Sequence, residues 1–271
     1  MDRLINLALK AYAVCAFVFI FLPVLTLIVF SFHLDRYPSL IWKGPGLVWY
    51  KEVLNDPAIV EAFKNSLVVA LSVGILSTFF GGTAAYFVNR WDFRGKHIYL
   101  ALTLMPPTTP LIVLGLSLLV FLSLIHLSGT LFSIVFGHVV FCSPFAMALI
   151  RLRLTELDRT LEEAAWNLGH GEWRTIARVV LPQLVSAIGA ALLITMALSF
   201  DEFIVAWFVS ALDVTLPVKI YAMMGGNVST KLNAVGSMVF AISILLVILA
   251  QILWMIQPGQ RSAFDNGRRL G

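Results

Sequence analysis

Charge is scarce in this chain. Asp, Glu, Lys and Arg make up 13% of its 271 residues, about half of the roughly 25% usual in a soluble domain. Hydrophobic residues reach 59% and the mean hydropathy is +0.90, which excludes a cytosolic enzyme or a disordered segment. Cysteine is nearly absent: Cys15 and Cys142 both lie inside apolar runs. That excludes a disulfide scaffold and reads as small buried thiols. No G-x-x-x-x-G-K-[ST] phosphate loop is present, so the chain cannot cradle ATP alone. There is no G-x-S-x-G elbow. His33, His97, His126, His138 and His170 show no metal-ligand spacing, so neither a catalytic nor a metal site is expected. No Lys/Arg cluster is interleaved with aromatics, which excludes a nucleic-acid partner.

What is there is a set of long apolar runs, and the bilayer rather than water sets their length. Six candidate spans are read at about 11–32, 66–88, 98–124, 131–150, 184–209 and 234–257. The runs are continuously apolar rather than alternating, which excludes membrane strands. The fold class is therefore an all-α polytopic membrane protein, with residues 1–271 expected to form a single transmembrane domain. The first run has a basic lead (Arg3, Lys10) but is too long for a signal peptide and lacks a cleavage site, so it reads as a retained span.

Lys and Arg accumulate on the cytoplasmic side of membrane proteins. With the N-terminus inside, Arg3, Lys10, Arg90, Arg94, Lys96, Arg151, Arg153, Arg159, Arg174, Arg178, Arg261, Arg268 and Arg269 are cytoplasmic. Arg36, Lys43, Lys51, Lys64, Lys219 and Lys231 are then outside. Thirteen of the 19 basic residues fall inside, which predicts both termini in the cytoplasm.

Two spans carry unusual residues. In the third, Met105-Pro106-Pro107-Thr108-Thr109-Pro110 removes backbone donors and clashes with helical geometry. A broken helix at membrane depth needs protein or a water-filled cavity to cover its freed carbonyls. A packing kink, a helix that starts after Pro110 following a re-entrant approach, and a pathway-lining role all fit. Gly81-Gly82 in the second span reads as close helix packing. In the fifth span, Asp201 and Glu202 are the acidic residues inside an assigned span, where a carboxylate is costly and faces a partner or a polar cavity. One carboxylate, with Asp201 preferred, is expected to face a pathway and attract a cation, with Phe200, Phe203 and Trp207 offering cation–π contacts. The alternative is that the pair holds an assembly together or sits near the outer headgroups.

Residues 151–183 form a long cytoplasmic loop that is polar yet patterned. Leu157, Leu161, Ala164, Ala165 and Leu168 recur at helical spacing. Thr160 with Glu163 fits a capping box, and Asp158 is a competing cap. Gly169 suits the left-handed residue just past a helix end. A second short helix is predicted over 173–180, with Pro182 resetting the chain before the fifth span. Two short helices around a glycine turn make a plug shaped for a groove. The acidic cluster Glu156, Asp158, Glu162 and Glu163 argues against a helix lying on lipid.

Glu163-Ala164-Ala165, then Gly169, Val179 and Leu181-Pro182, resembles the EAA signature of binding-protein-dependent ABC importer permeases, with valine where the family has isoleucine at 179. The resemblance implies a type I importer permease with the MetI-like fold of six transmembrane helices. The loop would be a coupling helix seated on a separate ATPase subunit dimer, which binds the ATP; the chain itself would need no cofactor. Glu163, Ala164, Ala165, Gly169, Leu181 and Pro182 would be the ATPase-coupling residues. A wider pattern, including Asn65-Ser66-Leu67, Phe141-Cys142-Ser143-Pro144-Phe145, Ser199-Phe200-Asp201-Glu202-Phe203 and Thr215-Leu216-Pro217, is similar to the shorter subunit of spermidine/putrescine-type permeases.

This implies a bacterial inner-membrane location and a second, homologous permease as partner. It also implies an extracytoplasmic solute-binding protein docking on loops 33–64 and 210–233. The expected solute is small, polar and cationic, with opines, aminophosphonates and ferric iron as alternatives in related permeases. Two other classes are weighed. A secondary transporter predicts broken helices in matching halves, and one span is visibly broken in the sequence. A membrane enzyme lacks its constellation.

Overall fold

Continuous apolar runs without water must satisfy their own backbone, and helices do so within one segment. The computed structural model describes residues 2–39, 43–211, 213–225 and 229–256, and its elements are helices, with one isolated β-bridge between His33 and Pro45. In chain order they are α1 (Asp2–Ser31), α2 (Val48–Leu54), α3 (Pro57–Arg90), α4 (Lys96–Thr108), α5 (Leu111–Leu124) and α6 (Leu131–Glu156). There follow α7 (Thr160–Asn167), α8 (Glu172–Thr175), a π-helical turn (Ile176–Val180), α9 (Leu181–Asp201), α10 (Ile204–Val209), α11 (Leu216–Met224) and α12 (Thr230–Met255).

Among the described residues five helical runs are long and apolar enough to cross a membrane: Ile5–Ser31, Pro57–Arg90, Leu131–Glu156, Glu172–Asp201 and Thr230–Met255. A sixth is the pair α4 and α5, bent by 103°. All six expected spans therefore have a counterpart. The end of the last one at Gln257, with Arg261, Arg268 and Arg269 of the charge argument, lies outside the described residues.

The chain divides into two compact units, Met1–Glu61 with Lys219–Ala241, and Ala62–Val218 with Ile242–Gly271. In the first, none of the most apolar stretch of α1 is buried by the described residues. Cys15 is consequently exposed on that helix rather than buried, whereas Cys142 is buried. Polar bonds bring the start of α12 to the loop after α1: Thr230 donates its hydroxyl to the Asp35 carbonyl at 2.7 Å and its amide to Arg36 at 2.8 Å. Lys231 Nζ lies 2.9 Å from Asp56 and 3.1 Å from Glu52. That bond, with the amides of Ile59 and Ala58, holds the Asp56 carboxyl below its usual range. Asp56 followed by Pro57 is a sequence-legible helix start, since aspartate accepts orphan amides and proline is pre-set for the first turn.

The second unit holds the core. α6 packs along α9, and α10 packs on α5 and α6. Val69, Val73, Leu118, Leu122, Ile134, Val205 and Val209 form one cluster of it, and Ala85, Val88, Met147, Ile150, Leu154 and Leu184 a second. α6 begins with a capping box in which Thr130 and Ser133 exchange hydrogen bonds. Gly81 makes the close approach to α6: a Cβ there would lie 2.6 Å from the Met147 amide nitrogen and the Ser143 carbonyl. At Gly82 a Cβ would meet the flexible end of Ile150 at 3.2 Å.

The breaks differ from the sequence expectation in two places. Pro106 and Pro107 stay helical in the last turn of α4, and the chain turns at Thr109-Pro110, where Thr109 is extended; the next helix starts after Pro110, one of the readings the sequence allowed. Hydroxyls of Thr108 and Thr109 bond the Leu104 and Met105 carbonyls there. Pro182 does not reset the chain. The helix runs through from Glu172 to Asp201, because the wider π turn before Leu181 makes room for the proline ring and the Gln183 side chain donates to the Val179 carbonyl.

The glycine contact sets an expected outcome. Gly81→Ala lowers stability by about 1–3 kcal/mol through overpacking against backbone, and Gly82→Ala costs less. Thermal unfolding of the two purified variants in detergent checks the difference.

Candidate functional site

Two places in the second unit concentrate charge against the apolar background: the loop between α6 and α9 and the acidic pair after α9. The loop opens at Leu157, and the Asp158 carboxylate accepts the Thr160 amide at 2.9 Å. That bond lowers the Asp158 carboxyl below its usual range. Thr160 is thus the first residue of α7 rather than the cap of a Thr160–Glu163 box, and Asp158, just before the Arg159 N-cap, satisfies its amide. The helix ends in a Schellman motif: Gly169 has φ of +83°, its amide donates to Trp166, and the His170 amide donates to Ala165. Nothing lies within 4 Å of a Cβ at Gly169, so conformation and not crowding calls for glycine.

The face that α7 buries is not the one its sequence pattern suggests. Glu162 and Ala165 are buried, and Glu162 pairs with Arg90 at the end of α3. Arg159 donates to the Asn89 carbonyl at 2.8 Å, a second tie to the same helix end. Leu161, Ala164 and Leu168 face outward instead; Leu168 is 82% exposed and Trp173 is 83% exposed. Glu163 is exposed beside them, and Leu181 and Pro182 are exposed at the foot of α9. A short helix with a carboxylate inside and leucine outside reverses the usual arrangement and leaves apolar surface unburied. The Arg90–Glu162 pair was missed in the sequence because nothing local links residues so far apart.

The acidic pair behaves as two separate groups. The fifth span is interrupted at this point, because Glu202 is extended and the helix restarts at Ile204. Glu202 is 7% exposed and accepts the amides of Val205 and Ala206 at 2.9 and 3.1 Å, satisfying orphan donors of α10. Its other neighbour is the fully buried His138 of α6, 3.0 Å away through Nε2, whose Nδ1 meets the Ser199 hydroxyl at 2.9 Å. Glu202 therefore holds the break together. Asp201 is exposed and accepts from the Ser243 hydroxyl of α12 at 2.8 Å. Phe200 is buried edge-on against Phe63, which leaves it no free face. Phe203 and Trp207 lie 5.9 Å apart, and Trp207 is 45% exposed. The sequence signal for the His138–Glu202 pair was present: ionisable groups inside a membrane pair with each other.

Among the described residues no cluster of His, Cys, Asp and Glu is arranged to hold a metal ion. The fold and the loop define a membrane permease rather than an enzyme. Residues 77–257 match the family described as binding-protein-dependent transport system inner membrane component. The chain is 30% identical over 245 residues to the spermidine/putrescine transport system permease protein PotC of Haemophilus influenzae, covering 90% of this chain and 95% of that protein. It is 32% identical over 231 residues to the putrescine transport system permease protein PotI of Escherichia coli K12, covering 82% of each. Among solved structures it resembles a bacterial alginate ABC transporter in complex with alginate pentasaccharide-bound periplasmic protein, with TM-score 0.68, 16% identity and 93% coverage of both chains. This chain belongs to the binding-protein-dependent ABC importer permeases, with the MetI-like all-helical fold, and is a multi-pass inner-membrane protein.

Removing the Glu202 carboxylate strands two buried amides and His138 at once. Glu202→Ala is expected to cost about 2–4 kcal/mol, and Glu202→Gln less, because its amide oxygen still accepts. Unfolding temperatures of the two variants check the order.

Proposed function

We propose that this chain is one of two paired permease subunits of an ATP-driven importer for a small polyammonium solute. In this reading residues 1–271 act as a single transmembrane domain with both termini in the cytoplasm, as the distribution of Lys and Arg favours. A solute-loaded binding protein docks outside on loops 33–64 and 210–233; residues 40–42, 212 and 226–228 of those loops lie outside the described residues. A separate ATPase pair binds the ATP and grips the loop through Glu163, Ala164, Ala165 and Gly169. Leu181 and Pro182 transmit the motion into α9.

The observation that carries the coupling half of this reading is the reversed polarity of α7. Leu161, Ala164 and Leu168 are held facing outward by the buried Arg90–Glu162 pair, a surface that needs a partner. The substrate half is supported by the likeness to PotC and PotI over most of the chain. The resemblance to an alginate importer of the same fold gives reason to read the solute's charge from residues rather than from architecture. Asp201, exposed at the end of α9, is the carboxylate assigned to attract the cation, with Trp207 near it along the chain. Opines, aminophosphonates and ferric iron remain the alternative solutes.

Two outcomes test the halves separately. Leu168→Asp breaks no internal contact of consequence at 82% exposure, yet is expected to abolish co-purification of the ATPase and uptake while the permease still inserts and folds. Asp201→Asn is expected to raise the KM for putrescine uptake with ATPase assembly unchanged. Normal assembly of the first variant rules out the docking role, and an unchanged KM in the second rules out the role of Asp201.

A further inference from the structure

A helical carbonyl at position i normally receives the amide of residue i+4, and proline has none to give. Pro107 therefore leaves the Thr103 carbonyl without its partner, and Pro106 removes the i+3 substitute as well. Pro144, inside α6, does the same to the Val140 carbonyl. Thr103 and Val140 belong to different helices, yet both line one cavity of about 300 Å3 bounded by α3, α4 and α6. Pro106 and Pro144 line it too.

Two hydroxyls join this wall. Ser143 and Tyr99 line the same cavity, and neither side chain makes a hydrogen bond among the described residues. Among the described residues no charged side chain lines it; the remaining surface includes Phe80 and Met147. The cavity is thus uncharged and mainly apolar, with a few polar groups and two aromatic rings in its wall. Its wall is half-buried at Thr103, Val140 and Ser143, at a depth where backbone oxygens need donors.

We propose that this groove is a resting site for a protonated amine of the solute in transit, with the Thr103 and Val140 carbonyls and the Ser143 and Tyr99 oxygens accepting from it. An alkylammonium group carries three donors and no acceptor, the complement of such a wall. Carbonyl oxygens replace the hydration shell of a cation without adding a countercharge. That favours transport, since a transit site must bind strongly enough to admit the solute and weakly enough to release it. A buried carboxylate facing the groove would hold an amine more tightly. Phe80 and Met147 suit the methylene chain, and the aromatic faces of Phe80 and Tyr99 suit the cation. The inference rests on the polyammonium reading above and adds the place and the chemistry of recognition.

Proline to alanine is the informative substitution, because it restores one amide and removes one free acceptor while improving the helix. The full importer is reconstituted in proteoliposomes with ATP on the cytoplasmic side and putrescine-loaded binding protein outside. For Pro144→Ala and for Ser143→Ala, kcat/KM for labelled putrescine is expected to fall about tenfold, the worth of one hydrogen bond to a charged group. ATP hydrolysis stimulated by the loaded binding protein stays near its original rate, so the ATP consumed per putrescine moved rises. Thr83→Ala, on the exposed side of α3, serves as the control and leaves uptake unchanged. Uptake by both groove variants equal to that of the unaltered importer overturns the groove. An unaltered importer that hydrolyses ATP with its binding protein but moves no putrescine overturns the amine reading, and the occupant proposed here with it.

Discussion

The hydrogen bonds of Glu202 are the point on which the second unit turns. In a hydrocarbon setting a helix break exposes amides and carbonyls that water cannot satisfy. At residues 201–203 one carboxylate answers most of that demand: it takes two amides of α10 and faces His138, which in turn meets Ser199. α6, α9 and α10 are tied together at a single buried group. With its start fixed, α10 can lay Val205 and Val209 into the core and pack on α5, the helix that follows the other break. The second unit thus brings the two interrupted segments against each other, one mended by a carboxylate and the other by threonine hydroxyls.

At the opposite end of the helices the same economy of charge works outward. Arg90 closes α3, and its pair with Glu162 pins α7 by the residue that most needs a partner. Once that face is fixed, helical spacing sends Leu161, Ala164 and Leu168 to the outside. The apolar plug is a consequence of where the buried ion pair sits. The Schellman turn at Gly169 then sends the chain into α8, so the plug is short and closed at both ends. From there the helix continues without a break through the π turn into α9, which gives the loop a stiff connection to the membrane segment that ends at Asp201.

Much of this was legible. The six spans follow from run length, because the bilayer sets a minimum that few other structures require. Gly169 was legible because a glycine after an amphipathic stretch has one common use, and Gly81 because small residues allow helices to approach closely. The start of α7 was half legible, since Asp158 and Thr160 compete locally and only geometry chooses. Less accessible were the effects of Pro182 and Glu202. A proline reads as a stop unless the turn before it widens, and widening has no local signature. An Asp-Glu pair in an apolar run reads as two carboxylates on one helix. That the helix ends between them, leaving Asp201 exposed and Glu202 buried, depends on His138 some sixty residues earlier.

By itself the sequence determined the class: apolar runs too long for water, a basic bias among the connecting segments, and a spaced EAA signature in one loop. These are local or compositional, and each follows from solvent or from helical period. The tertiary structure decided which face of α7 looks outward, where the fifth span breaks, which of two adjacent carboxylates stays accessible, and that residues of two helices whose carbonyls lose a helical donor to proline line one cavity. All of these are pairings between residues far apart in the chain. A buried charge or a freed carbonyl is defined by what packs against it, and that is set only when the helices meet.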